Sequence, residues 1–175
     1  MELTDQKHGT EIGKGRSGTV FRSVDSAGND LAVKVFSGED SLTKLSNYIL
    51  TGAPNSYSWN EDAVRCAHLR REILTILIPF WIGSGARIAR SFGIGWNDKF
   101  KAYEIHTEFI NGRPAGLHHP FSKETDWQHD DLVNNVMEPL QKRLAESGFD
   151  GLVWQAGKGN PIALNNFLVD NDGNW

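Results

Sequence analysis

An α+β fold is predicted by how the chain groups its periodicities. Three β-prone runs separated by tight turns lie between Thr10 and Phe36, and a second pair of runs follows a long helical stretch. Strands and helices are thus clustered rather than alternating, which argues against a doubly wound sheet. The size agrees: 175 residues, 39% hydrophobic and 23% charged, suit one ordinary domain or a small domain with part of another. A net charge of −4 implies no basic face for nucleic acid. The single cysteine, Cys66, excludes an intramolecular disulfide and a multi-cysteine metal site. It fits a reducing compartment, and inside a helix it is expected to be buried. No apolar leader opens the chain, and the longest apolar run, Ile73 to Gly83, is interrupted by Pro79. It falls short of the roughly 20 residues a bilayer requires, so a cytoplasmic protein without membrane contact is expected.

The first strand, glycine turn and second strand occupy Thr10 to Val24, where Val20, Phe21 and Val24 are good β residues. Ser26 to Asp30 is a turn, and Leu31 to Phe36 the third strand of an antiparallel meander. Gly38 to Asn60 is polar and turn-rich, with one short helix suggested where Leu42, Leu45 and Ile49 share a face. Asn60 is a good N-cap for a helix from Glu61 to about Ile78, ended by Pro79. Ala86 to Ile110 reads as a hairpin with Asn97-Asp98 in its turn, followed by a connector from Asn111 to Pro120. A second helical region starts near Asp130. Leu132, Val136, Leu140 and Leu144 recur every four residues as one apolar stripe, and Pro139 should kink or split it. Pro161 to Trp175 reads as two short strands around a turn at Asp170 to Gly173.

The stretch from Gly13 to Val20, GKGRSGTV, carries the chemistry. A Walker A loop ends in Gly-Lys-Ser/Thr and opens a helix, and a dinucleotide fingerprint also opens a helix. Here the loop runs into β residues, which leaves a glycine-rich β-hairpin: Gly13, Gly15 and Gly18, then Val20. Glycines let backbone N–H groups approach phosphate oxygens, and Val20 can lie under a flat base. Strand alternation points Lys34 away from Val33 and Val35, where an ammonium calls for an anionic partner. Glu72, set among Ile73, Leu74 and Leu77, can supply one.

These residues resemble the N-lobe of the protein-kinase-like superfamily: Gly-x-Gly-x-x-Gly-x-Val, then Ala32-Val33-Lys34, then a helix glutamate. The resemblance implies a five-stranded antiparallel N-lobe sheet with one αC-type helix over 1–112 and a partial helical C-lobe over 113–175. It implies that Lys34 contacts the α/β-phosphates of ATP with Glu72 as its ion-pair partner. On the adenine side it implies Ala32, Thr107 as gatekeeper, and the hinge backbone from Glu108 to Ile110. Asn166, in a segment similar to the end of the family's catalytic loop, would bind magnesium.

The pattern also breaks. Five residues before Asn166, where the family has its catalytic Asp, stands Pro161; counting from Asn165 gives Asn160. Neither can accept a hydroxyl proton. Asp150 is the displaced acid that could stand in, although its spacing is wrong. No Asp-Phe-Gly follows before Trp175. The expectation is therefore an ATP-binding kinase-like domain, a phosphotransferase only if a further C-terminal segment completes it, with magnesium if active. The alternative is a pseudokinase-type module that acts through a protein partner. With a partial C-lobe, the stripe from Leu132 to Leu144 should stay partly uncovered and favour self-association. His118-His119 is not expected to hold a metal, His106 is read as structural, and Asp126, Asp130 and Asp131 as helix-start residues.

Overall fold

Alternating side chains and tight turns build the first sheet. A computed structural model describes residues 9–15, 17–36, 60–114, 130–149 and 166–175, with Leu45 and Ile49, which are helical and exposed. Strands β1 (Glu11–Gly15), β2 (Gly18–Val24) and β3 (Asp30–Phe36) form the expected meander. Asp25 shapes the β2–β3 turn by accepting the Ala27 and Asn29 N–H groups, each at 2.8 Å. Helix α1 (Glu61–Ile82) starts under an Asn60 cap, whose Oδ1 accepts the Ala63 N–H at 2.9 Å. Strands β4 (Ser91–Asn97) and β5 (Ala102–Glu108) follow. All five strands are antiparallel, in the order β1-β2-β3-β5-β4.

Pro79 does not end α1. The helix runs on to Ile82 and stops at Gly83, whose φ is +84° and whose N–H donates to the Pro79 carbonyl at 2.9 Å. Proline forfeits its own hydrogen bond and crowds the carbonyl four residues back, and packing outweighs that cost here: Ile78 is buried, and Trp81 and Ile82 pack on the same apolar cluster.

Two compact units are defined: Met1–Glu72 with Ala89–Phe109, and Ile73–Ile88 with Ile110–Trp175. The second contains β6 (Gly112–Pro114), a π-helical segment (Leu132–Met137), helix α2 (Glu138–Glu146) and β7 (Leu168–Asp170). The helical segment changes its winding one residue before Pro139, as the proline led one to expect. The stripe is not left uncovered. Leu132, Val136, Leu140 and Leu144 are all buried with Met137, Leu74, Ile78 and Ala86, and Trp81, Phe149, Phe167 and Trp175 pack on the cluster. Residues of the second unit itself therefore cover the apolar face.

Two further expectations are corrected. The segment read as a connector, Asn111 to Pro120, contains a strand, β6, and β7 pairs antiparallel with it rather than with a strand across the Asp170–Gly173 turn. Gly112 makes this pairing close: a Cβ there would stand 2.4 Å from the Val169 carbonyl oxygen. Asp170 instead closes its own turn, with Oδ1 accepting the Asp172 and Asn174 N–H groups at 3.0 and 2.9 Å. Cys66, expected to be buried, is exposed, because it lies off the face of α1 that carries Val64 and Ala67.

Candidate functional site

Register decides which side chains share a surface. Gly13 pairs with Val20 and Gly15 with Gly18, so the glycine-rich stretch is a β-hairpin rather than a loop into a helix. At Gly18 a Cβ would lie 2.1 Å from the Val35 carbonyl oxygen, so only glycine admits this approach to β3. Gly13 has open space where a Cβ would stand, so glycine there is not required by packing.

Directly paired residues point to the same side of an antiparallel sheet. One row runs Val20, Lys34, Ile105, Ile94, and the next Arg22, Ala32, Thr107, Ser91. Val20, Ala32, Lys34 and Thr107 thus share one face. The same face receives α1, where Val64 and Ala67 pack with Phe36, Ile105, Ile94 and Tyr103. Thr107 donates its hydroxyl to the Ala32 carbonyl at 3.1 Å, which ties β5 to β3 at this point.

The expected ion pair between Lys34 and Glu72 is not formed. Glu72 is half exposed, and its Oε2 lies 3.5 Å from His68 Nε2. Among the described residues Lys34 has no ion pair, and its Nζ sits 5.2 Å from the Phe36 ring centroid. The cause is helix register. At 100° per residue, Arg71 lies only about 20° around the helix from Val64, whereas Glu72 lies about 80° away. Arg71, not Glu72, follows Val64 and Ala67 on the sheet-facing side. Burial, and then the charge of Arg71, lower the Lys34 pKa from 10.5 to about 8. Burial lowers the Arg71 pKa as well.

The backbone at the end of β5, expected to face a base, is partly committed. The Glu108 N–H donates to the Arg90 carbonyl at 2.8 Å, and Glu108 Oε2 accepts the Arg90 N–H at 3.3 Å. Ile110 follows β5 and is half-buried. Arg22, on the row of Ala32, stacks over the Phe109 ring at 4.6 Å and pairs side-on with Asp30 at 3.0 and 2.6 Å.

The opposite face holds a polar group that sequence reasoning missed. Glu104 is buried; its Oε1 lies 2.8 Å from His106 Nε2, and its Oε2 accepts the Asn97 amide at 2.7 Å. His106 is 1% exposed, and its Nδ1 has no partner among the described residues. Polar residues at alternate positions of β5 look like an exposed edge in one sequence. Only the apolar run Leu31, Val33, Val35 on the paired strand hints that this face is covered.

Asp150, Asn160, Pro161, Asn165, His118, His119 and Asp126 lie outside the described residues. Asn166 is described and exposed, one residue before the half-buried Phe167. Asp131 receives Asn135 Nδ2 at 2.7 Å and Trp175 Nε1 at 3.1 Å, which hold its carboxyl below the usual range; it makes no helix-capping bond. No group of three histidine, cysteine or acidic side chains gathers as a metal site among the described residues. No helix among them is long and apolar enough to cross a membrane. Comparison with protein-family models and with curated proteins finds no match to this chain.

Proposed function

We propose that the five-stranded sheet binds a nucleotide, ATP being the expected ligand, in the manner of a protein-kinase-like N-lobe. One observation carries this: the register sets Val20, Ala32, Lys34 and Thr107 on one face, on strands that continue from a glycine hairpin. Apolar Val20 and Ala32 suit a flat base, and a half-buried ammonium with no carboxylate partner among the described residues suits a phosphate. Binding without phosphate transfer is the form favoured here, because Glu72 does not hold Lys34 and engages His68 instead. Phosphotransferase activity would need further segments. The described residues do not suit magnesium: Asn166 stands without a gathered acidic set, and the Asp170 carboxylate serves its own turn. The single cysteine agrees with a reducing, cytoplasmic setting.

A ligand that binds only the folded chain stabilises it by about 2.7 kcal/mol at a hundredfold excess over Kd. ATP should therefore raise the melting temperature of the wild type and leave Lys34→Met unmoved. Equal shifts in the two proteins would overturn the reading.

A further inference from the structure

Helix α1 carries two apolar faces, and the core uses one of them. At about 100° per residue, the core-facing side chains Val64, Ala67, Leu74 and Ile78 centre about 160° around the helix from Leu69, Ile73, Ile76 and Phe80. The second set belongs to none of the described apolar clusters. Leu69 and Ile73 are half exposed, Ile76 is 74% exposed and Phe80 83%. Single apolar side chains on a surface need no explanation, but four in line on one helix do. We propose that this stripe is a self-docking surface: α1 pairs antiparallel with α1 of a second copy of the chain, about a two-fold axis passing between Ile73 and Ile76.

Spacing, symmetry, charge and area agree on this occupant. Steps of four, three and four residues are those of a heptad seam, the pattern by which two helices interlock. All four side chains stand on one helix, so helix geometry alone aligns them. The stripe is also its own complement. Reversed about its midpoint, it sets Leu69 against the partner's Phe80 and Ile73 against the partner's Ile76, as an isologous contact requires. Charge selects the direction. Arg65 and Glu72 flank the seam on one side, Arg70 and Leu77 on the other. A parallel pair in register would set Arg65 against the partner's Arg70, a repulsion made twice. In the antiparallel pair Glu72 lies beside the partner's Pro79 and Arg70 beside the partner's Leu77, so no like charges meet. Each helix then covers residues 67–82 of the other, and Glu61, Asp62 and Arg65 stay in water beyond its end. At about 200 Å² for a fully exposed residue of this size, the four expose about 500 Å², and two copies together bury about 1,000 Å², where specific interfaces begin. Docking here uses none of Val20, Ala32, Lys34 or Thr107, and the stripe from Leu132 to Leu144 plays no part because it is buried.

Sedimentation equilibrium on the full chain tests this. The wild type should be a dimer at about 100 μM and dissociate toward about 1 μM, as an interface of small area implies. A wild type that stays monomeric at the upper concentration overturns the proposal. Ile76→Asp should raise the dimer Kd at least about thirtyfold, the loss expected of a central anchor. Phe80→Ser, a milder change, should weaken the dimer too. Val24→Asp, at a side chain 52% exposed on β2, should leave it intact. Dimerisation as tight as wild type in both Ile76→Asp and Phe80→Ser, or its loss in Val24→Asp, overturns the stripe as the contact. Far-UV circular dichroism should be unchanged in all three. Unfolding of Ile76→Asp and Phe80→Ser alike would mean that the chain itself covers the stripe, which overturns a second copy as its occupant.

Cys66 reports the direction. Parallel helices in register would set the two Cys66 thiols side by side, whereas the antiparallel pair holds them about 25 Å apart, too far for a disulfide. Diamide should therefore cross-link the wild type no faster than Ile76→Asp. A Cys66–Cys66 dimer that forms faster in the wild type overturns the antiparallel pairing.

Discussion

The sheet unit and the helical unit bury different things. Among the described residues every buried polar or charged side chain, Ser23, Asn97, Glu104 and His106, belongs to the first unit, which also holds the half-buried Lys34 and Arg71. Among those same residues the second unit buries Leu74, Ile78, Ala86, Leu132, Val136, Met137, Leu140, Leu144 and Val169, and nothing polar. Burying charge and unsatisfied polar atoms lowers stability, so a unit that does it gives up stability in return for something else. The contrast agrees with the proposed reading, in which the sheet binds and the helical unit supplies the apolar core.

Substitutions can break or sharpen that contrast. The largest loss is expected in the helical unit, where Leu132 is fully buried: Leu132→Ala should cost about 2–5 kcal/mol, read from urea denaturation. ATP affinity extrapolated to the remaining folded fraction should not change. Gly18→Ala should cost about 2–3 kcal/mol through its clash with the Val35 carbonyl, and should also impair ligand binding. A Gly18→Ala protein that binds normally would detach the hairpin from the site.

The smallest effect has the opposite sign. The folded-state pKa of Lys34 is lowered to about 8, so between that value and 10.5 the unfolded chain binds more protons than the folded one. Stability from this group therefore rises with pH across that window, and the cost of the buried charge is fully present below it. Lys34→Met should accordingly stabilise the ligand-free protein by roughly 1–2 kcal/mol at neutral pH, after allowing for solvent screening. The gain should shrink as pH climbs from about 8 toward 10.5. A gain that is flat across that window would mean that Lys34 carries no buried charge. Higher stability together with lost ligand binding is the signature expected of a binding residue.

Much of the sheet was legible because turn chemistry and alternation act locally. Ser26, Gly28 and Asn29 announce the β2–β3 turn, and Val33 and Val35 announce the face of β3. The apolar stripe of the second helical region was legible too, since Leu132, Val136, Leu140 and Leu144 obey helical spacing. What covers that stripe was not, because Leu74, Ile78 and Trp175 come from distant stretches. Pro79 misled because a local hydrogen-bond rule was outweighed by packing beyond it. The charge of the site turned on one step of helix register: Arg71 and Glu72 are neighbours of opposite sign, and resemblance favoured the glutamate. Counting from Val64 and Ala67 would have favoured the arginine, but only once those two were known to face the sheet.

The pairing of β6 with β7 joins segments that lie far apart along the chain. Loop-closure entropy grows only logarithmically, so the distance costs the finished unit little, but it governs when the unit can form. The β1–β2, β2–β3 and β4–β5 hairpins can close as soon as each has left the ribosome, on a scale of about 1–10 μs. Strand β6 emerges long before its partner and has to wait. A waiting strand is an open template for foreign strands, and Pro114, which has no N–H to offer, blunts that edge. The same residue that reads as a trivial loop proline in the sequence thus sits where a nascent chain is most exposed to mispairing.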